Sequence, residues 1–277
     1  MSKKIIVLGS KGMLGQMVVS FFSQKGFEIS TFNKRFNEDT IRDYINELNE
    51  FENSIVINCV GRIKHKSDLA YDFFLSNSLL PLELSRSLKL QHILIHPSTD
   101  CVFDGNTEYP YLSFCRHTAK DIYGISKSLG ETAVMSRTNS LVIRVSIIGP
   151  DKNSDKGLLS WFLNNNQNSE LNGYNNHLWN GITTLEWCEK LLTLLQNDSL
   201  FNKLLERKLI QLGTDEVYTK YDMLCIFNRL FSKNFTINSF DADTSVNRCL
   251  KPDITSPALE VQLTLLNNYM HRNTLLK

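Results

Sequence analysis

Tyr123 and Lys127 stand four residues apart in Tyr123-Gly124-Ile125-Ser126-Lys127, a spacing that puts both side chains on one face of a helix. A phenol titrates near ~10, too high for acid–base work at neutral pH. One ammonium ~4 Å away, at an effective dielectric of ~20, favours the phenolate by up to roughly 4 kcal/mol. That brings a phenol within reach of duty as a general acid. A hydroxyl that hydrogen-bonds the reacting oxygen would complete such a site. His96-Pro97-Ser98-Thr99-Asp100-Cys101-Val102-Phe103-Asp104-Gly105 follows an apolar run of strand length, and Thr99 or Ser98 is the candidate.

A second constellation lies near the N-terminus. Gly9-Ser10-Lys11-Gly12-Met13-Leu14-Gly15 has the spacing GxxGxxG, directly after a strand and at the opening of a helix. Glycine is needed where backbone turns tightly and approaches a pyrophosphate, and the helix N-terminus offers it free N–H groups. An NAD site would carry Asp or Glu at the end of the second strand. The chain reads Thr31-Phe32-Asn33-Lys34-Arg35 there. Two cations suit a 2′-phosphate, so NADPH is the expected cofactor and NADH the alternative.

These residues need elements to position them. Continuous apolar runs at 5–8, 27–32, 55–60, 93–96 and 141–145 read as strands buried on both faces. Helical periodicity occupies 13–24, 40–51, 73–88 and 122–135, with Pro81 as a bend in the third. The alternation predicts an α/β fold, a Rossmann-type doubly wound parallel sheet. The polar, Asn-rich stretch 164–176 reads as a loop or short helix. Helices over 185–195, 221–231 and 259–270 and strands over 209–212 and 235–240 follow. Residues 1–150 are expected to bind the dinucleotide, with a return segment near 181–215. Residues 151–180 and 216–277 are expected to form a smaller, mixed substrate-binding region.

The composition narrows the function classes. A chain of 277 residues, 42% hydrophobic, is long enough to bury a sizeable core. Thirty Lys+Arg against 29 Asp+Glu leave +1, so no field steers it to nucleic acid or to an anionic membrane. No apolar run reaches the roughly 18 residues of a membrane span, and Ile5 to Leu8 is too short for a signal-peptide core. The six cysteines show no CxxC pairing and read as reduced thiols, which predicts a cytoplasmic protein. His177 has no metal-ligand partner at useful spacing, so no catalytic metal is expected.

The order GSKGMLG, INCVG, LSNSLLP, PSTDCVFDG, DIYGISKSLGE and VIRVSIIGP resembles the extended short-chain dehydrogenase/reductases. Within them it is most similar to the dTDP-4-dehydrorhamnose reductase-like branch. KGLLSWFL, GYNNHLWNGITTLE and NRCLKPD resemble its substrate-proximal segments, especially those of reductases that complete UDP-linked N-acetylated 6-deoxy-L-sugars. The resemblance implies a catalytic set of Thr99, Tyr123 and Lys127, with Gly9, Gly12 and Gly15 at the pyrophosphate. It also implies that Cys59-Val60-Gly61 passes the adenosine side of the cofactor and that Asn77 packs near the site. Better-known members carry an aromatic after the Asp of STD, where this chain has Cys101.

The implied reaction is reduction of the C4 keto group of a nucleotide-linked 4-keto-6-deoxyhexose, in synthesis of a surface-polysaccharide precursor. Related 4,6-dehydratases carry Asp-Glu after the Thr, whereas Asp100 is followed by Cys101, a poor acid. An epimerase or epimerase–reductase is the alternative, and a non-catalytic NADP-binding sensor or scaffold is the alternative of another class. Lys64, in Arg62-Ile63-Lys64-His65-Lys66, is placed to meet phosphates, with a solvated loop as the plain reading. Trp179 is placed to stack on a sugar or base, with core packing as the plain reading. A homodimer is the fold-level expectation.

Overall fold

Strands that are apolar on both faces need cover on both, and the chain provides it by crossing over after each strand. The computed structural model describes residues 4–63 and 69–273. It opens with β1 (Lys4–Leu8), α1 (Met13–Gln24), β2 (Glu28–Phe32), α2 (Ile41–Leu48) and β3 (Ser54–Asn58). One long helix follows in three pieces: α3 (Ala70–Phe74), a π-helical stretch Leu75–Leu79, and α4 (Leu80–Ser87). The expected bend at Pro81 thus takes the form of a widened turn just before it. A proline has no N–H to give to the carbonyl four residues back, and a π turn absorbs that loss.

β4 (Ile93–Thr99), α5 (Ile122–Met135) and β5 (Ser140–Val145) complete the first half. The second half contributes β6 (Ile147–Ile148), α6 (Leu158–Leu163), β7 (Glu170–Tyr174), β8 (His177–Trp179), β9 (Ile182–Thr183), α7 (Thr184–Leu195) and α8 (Asp198–Arg207). β10 (Leu209–Thr214), β11 (Tyr218–Thr219), α9 (Lys220–Leu230), β12 (Thr236–Phe240), β13 (Val246–Asn247), β14 (Ile254–Ser256) and α10 (Leu259–Asn273) end it.

The central sheet has seven parallel strands in the order β14-β10-β5-β4-β3-β1-β2. Strand alternation sends Ile5, Val7, Ile55 and Ile57 to one face, against Phe21 and Phe22 of α1 and the buried sides of α7 and α10. Ile6, Leu8, Val56 and Leu94 face the other way, onto Tyr44, Ile45 and Leu48 of α2 and Leu80 and Leu84 of α4. Each fully buried Leu or Ile contributes ~1.5–3 kcal/mol, so both faces are strongly specified. Direction reverses at β1/β3, the switch point where an open α/β sheet has its crevice.

Two expectations need correction. The stretch 164–176 contains β7, which pairs in parallel with β12, Glu170 opposite Thr236. Its inward positions are Leu171 and Gly173, so only one apolar side chain marks it in the sequence. The 216–277 span is also not confined to a substrate lobe, because β14 forms the edge of the central sheet and α10 packs into the main core. Among the described residues no helix is long and apolar enough to cross a membrane.

Candidate active site

The carboxyl ends of β1, β3, β4 and β5 open onto one cavity of about 370 Å³. Gly12, Met13 and Leu14 form one wall, Asn58 to Ile63 the next, and Pro97 to Cys101 a third. Tyr123 and Lys127 line it from α5, and Val145 to Ile148 with Asp151, Gly157 and Leu158 close it. Gly157 and Leu158 lie in KGLLSWFL, which the resemblance set near the substrate, but the sequence reading gave no site role to Val145 to Ile148 or to Asp151. They belong because β5 lies beside β4 in the sheet, with Val145 opposite Thr99, and their positions along the chain carry no mark of it.

The glycine turn has the form a pyrophosphate site requires. Gly9 has φ +70°, and a Cβ on Gly15 would lie 2.3 Å from the Gly9 carbonyl oxygen, so α1 can start against the turn only with glycine there. Gly12 caps α1 without any side-chain hydrogen bond, which leaves the first-turn N–H groups to face the cavity. At the end of β2 the Ser10 N–H donates to Asn33 Oδ1 at 3.0 Å and Asn33 Nδ2 donates to Ser10 Oγ at 2.8 Å. Asn33 therefore ties β2 to the turn. Lys34 is ion-paired with Glu47, whereas Arg35 is exposed and forms no ion pair among the described residues. Arg35 is thus an exposed cation at the end of β2, where the sequence reading expects a 2′-phosphate.

β4 delivers Thr99 to the opposite side. Its hydroxyl donates to Asp100 Oδ1 at 2.9 Å and accepts from the Cys101 N–H at 3.2 Å, capping a 3-10 turn at Asp100–Val102. α5 begins directly against that turn, capped by Asp121, which accepts from the Gly124 N–H at 3.0 Å. A Cβ on Gly124 would lie 2.1 Å from the Cys101 carbonyl oxygen. Glycine beside Tyr123 is what lets the phenol come up to Thr99.

Lys127 lies one turn further on, with its ammonium donating to the Pro97 carbonyl at 2.8 Å. The titration behaviour differs from the sequence expectation. Burial pushes the Tyr123 phenol up, with Cys101, Asp100 and Asp121 adding to it and the neighbouring Thr99 hydroxyl opposing. Burial draws Lys127 itself down to about 8, against the charges of Glu131 and Cys59. His96, fully buried beside it, is held neutral by burial and by the Lys127 charge. The Cys101 thiol is raised to about 12, chiefly by burial, so it stays protonated.

Two hydroxyls were candidates, and the geometry separates them. Ser98 Oγ donates at 2.5 Å to Glu131, a carboxylate with no exposure, eight residues after Tyr123 on α5. Arg144 of β5 pairs with the same carboxylate and also donates to Gln211 Oε1 at 2.6 Å, while His117 Nε2 lies 3.0 Å from it. Burial alone would raise the Glu131 carboxyl, but His117, Arg144 and Ser98 bring it down to about 2. Both line the cavity, but the Ser98 hydroxyl is tied to Glu131 and the Thr99 hydroxyl to Asp100 and Cys101. Glu131 was missed because its partners lie far away in sequence.

Other expected contacts fall elsewhere. The Asn77 amide accepts from the Arg62 N–H at 2.8 Å and donates to the Arg62 carbonyl and Ser126 Oγ, both at 3.0 Å. It therefore clamps the 59–62 loop to α5 and does not line the cavity. Trp179 is 4% exposed and belongs to the core. The Lys11 side chain is exposed, and its carbonyl accepts from Gln16 and Asn153. Lys64 lies outside the described residues.

Comparison with known proteins bears on the fold and the family. Over 151 residues the chain is 30% identical to a spore coat polysaccharide biosynthesis protein, SpsK, of Bacillus subtilis, covering 52% of each chain. It is 29% identical over 160 residues to a probable low-salt glycan biosynthesis reductase of Haloferax volcanii, covering 51% of this chain and 52% of that one. The chain thus spans about half the length of the curated relatives it matches. Its fold superposes on a dTDP-4-dehydrorhamnose reductase of Bacillus anthracis solved in complex with NADP, with TM-score 0.80 at 14% identity over 97% of this chain and 100% of that one. A family model described as the RmlD substrate binding domain matches residues 3–172, more than half the chain, and the chain belongs to that family.

Proposed function

We propose that this protein is an NADPH-dependent oxidoreductase that reduces the C4 keto group of a nucleotide-linked 4-keto-6-deoxyhexose. The substrate is dTDP-4-dehydrorhamnose-like or a UDP-2-acetamido-2,6-dideoxy-hexos-4-ulose. The observation that carries this reading is the single cavity that joins a glycine turn with free N–H groups to the Thr99, Tyr123 and Lys127 side chains. NADPH, when bound, supplies the hydride and leaves as NADP⁺. Thr99 holds the carbonyl oxygen, and Tyr123 gives its phenolic proton to that oxygen as negative charge develops there. Lys127 places its cation where it stabilises the phenolate left behind. Asn77 keeps the 59–62 loop and α5 in register around both groups.

Three features favour reduction over epimerisation or dehydration: the basic end of β2, a Cys101 thiol too weak an acid to eliminate water, and relatives named for glycan synthesis. The complete set of three side chains argues against a sensor that has kept only the fold. Loss of nicotinamide absorbance on mixing enzyme, NADPH and a 4-keto sugar nucleotide tests the proposal, with dTDP and UDP substrates run side by side. Tyr123→Phe should abolish turnover and leave NADPH affinity within about twofold. Tightly held NAD in the purified protein, with no net oxidation, would instead identify an epimerase.

The setting we infer is cytoplasmic synthesis of a surface-polysaccharide precursor, by a homodimer. Support for the dimer is a groove of about 520 Å³ between the α3–α4 helix and α5, lined by Tyr71, Phe74, Leu75, Leu82 and Leu129. Tyr71 and Leu129 are about half exposed there, at 49% and 51%.

A further inference from the structure

Behind Lys127 the buried polar side chains leave little freedom as to which atoms carry hydrogen. Asn58 ends β3 and is 2% exposed. Its Oδ1 accepts the Val60 N–H at 3.2 Å. A turned amide would set its own N–H groups against that N–H, so the side chain has one orientation. Nδ2 is then the atom that faces His96 Nδ1, at 3.3 Å. His96 lies inside β4 and has no exposed surface. Burial and the Lys127 charge keep its imidazole neutral. A neutral imidazole has one bare nitrogen and one N–H. Nδ1 is bare, to accept from Asn58, and Nε2 therefore carries the hydrogen.

Nε2 looks onto Lys127 Nζ at 3.5 Å. An ammonium only donates, so while Lys127 is charged two N–H groups face each other and no hydrogen bond forms between them. The separation is accordingly longer than the ~2.7–3.2 Å of a made bond. An amine in the same place has a lone pair and accepts the Nε2–H. The bond that Lys127 gives to the Pro97 carbonyl, at 2.8 Å, is open to both charge states. His96 thus serves one state and not the other. The other titratable groups around Lys127 are Cys59, from the segment after β3, and Glu131 and Tyr123 of its own helix. Glu131 and Cys59 favour the ammonium, and Glu131 is itself paired with Arg144 of β5. Asp100, Cys101 and Asp121 act on Tyr123.

We propose that Asn58 fixes His96 as the Nε2–H tautomer, and that His96 is thereby a positioning residue for Lys127, with a hydrogen bond for its amine and none for its ammonium. What this does for turnover rests on the reading above, in which the Lys127 charge stabilises the Tyr123 phenolate. The Asn58–His96 pair opposes Glu131, so Lys127 is held between its two states and is not locked as a permanent cation. The same geometry keeps His96 itself out of the titration, because an imidazolium would turn a second N–H against the Asn58 amide. His96 acts on Lys127 only through the place of one hydrogen.

Two-bond proton–nitrogen correlation spectra of the cofactor-free protein, made with isotope-labelled histidine, read the tautomer. The His96 signals are those lost in His96→Phe. They should show the hydrogen on Nε2 and a bare Nδ1 on both sides of the Lys127 titration. Asn58→Asp keeps an acceptor for the Val60 N–H and offers a second one to Nδ1, so it should move the hydrogen to Nδ1. The ε-carbon shift of labelled lysine, assigned with Lys127→Met, reads the charge of Lys127. His96→Phe should raise its titration midpoint by about half to one pH unit, the effect of one lost hydrogen bond. A ring that only fills space predicts an unmoved or lower midpoint, since phenyl is less polar than imidazole. His96→Gln, which sets an amide N–H where Nε2 was, should restore most of the shift. The alkaline limb of kcat/KM for NADPH should move with the midpoint. A wild-type hydrogen on Nδ1 overturns the proposal, and so does a midpoint that fails to rise in His96→Phe. Should that variant not fold, the wild-type tautomer and Asn58→Asp still decide. Both spectra are read without sugar substrate. Absence of keto-sugar turnover, with tautomer and midpoint as expected, would remove the reductase reading and leave the part of His96 standing.

Discussion

Lys127 is 6% exposed and hydrogen-bonded to the Pro97 carbonyl, and burial draws its ammonium down to about 8. In the proposed reaction its charge stabilises the Tyr123 phenolate, so the sign of the pH response follows. The cation is present below about 8 and is lost as pH rises through that value. The pH profile of kcat/KM, which reports groups of the free enzyme, should therefore fall on its alkaline side near pH 8. Glu131 raises the Lys127 value, so Glu131→Gln should move that limb to lower pH. Ser98→Ala removes the hydrogen bond to Glu131 but leaves its charge, and its limb should stay in place. An unmoved limb in Glu131→Gln would limit the carboxylate to holding β4, α5 and β5 together.

At the scale of elements, two contacts decide whether the side chains meet. α5 starts against the 3-10 turn only because Gly124 has no Cβ, which would otherwise sit 2.1 Å from the Cys101 carbonyl oxygen. Gly124→Ala should push the start of α5 away, destabilising the protein by about 1–3 kcal/mol and lowering kcat far more than it raises KM for NADPH. Wild-type kcat in that variant would show that Tyr123 does not depend on this approach. The end of β2 is the second contact. Lys34 is engaged by Glu47 and Arg35 is not, so Arg35→Ala should raise KM for NADPH by about tenfold and leave KM for NADH unchanged. Lys34→Ala should have little effect. Equal effects of the two substitutions would mean that the Lys34–Glu47 pair opens when the cofactor binds.

For the whole molecule, the apolar groove between the α3–α4 helix and α5 lies on the outside of the helix layer that carries Tyr123 and Lys127. A second copy packed there would brace the catalytic helix from behind. Light scattering on the purified protein should give twice the 31.8 kDa chain mass, and Leu129→Glu should shift it to one chain. A wild-type mass of one chain would remove the dimer.

The sequence by itself determined the parallel sheet, the place of the glycine turn and the one-face pairing of Tyr123 with Lys127. Those features are written in local periodicity and spacing, and local physics reads them: alternation for strands, a four-residue step for helix faces, glycine where backbone must approach. It left β7 hidden, since only Leu171 marks its inward face, and it could not separate Ser98 from Thr99. Only the tertiary structure decided that Ser98 turns to Glu131, that Asn77 clamps a loop, and that Trp179 lies in the core under Lys220. The reason is the same in each case. Glu131 with Arg144, Asn77 with Arg62, and Lys220 with Trp179 are brought together by strand order and crossover, and no spacing along the chain records which side chains a sheet will place side by side.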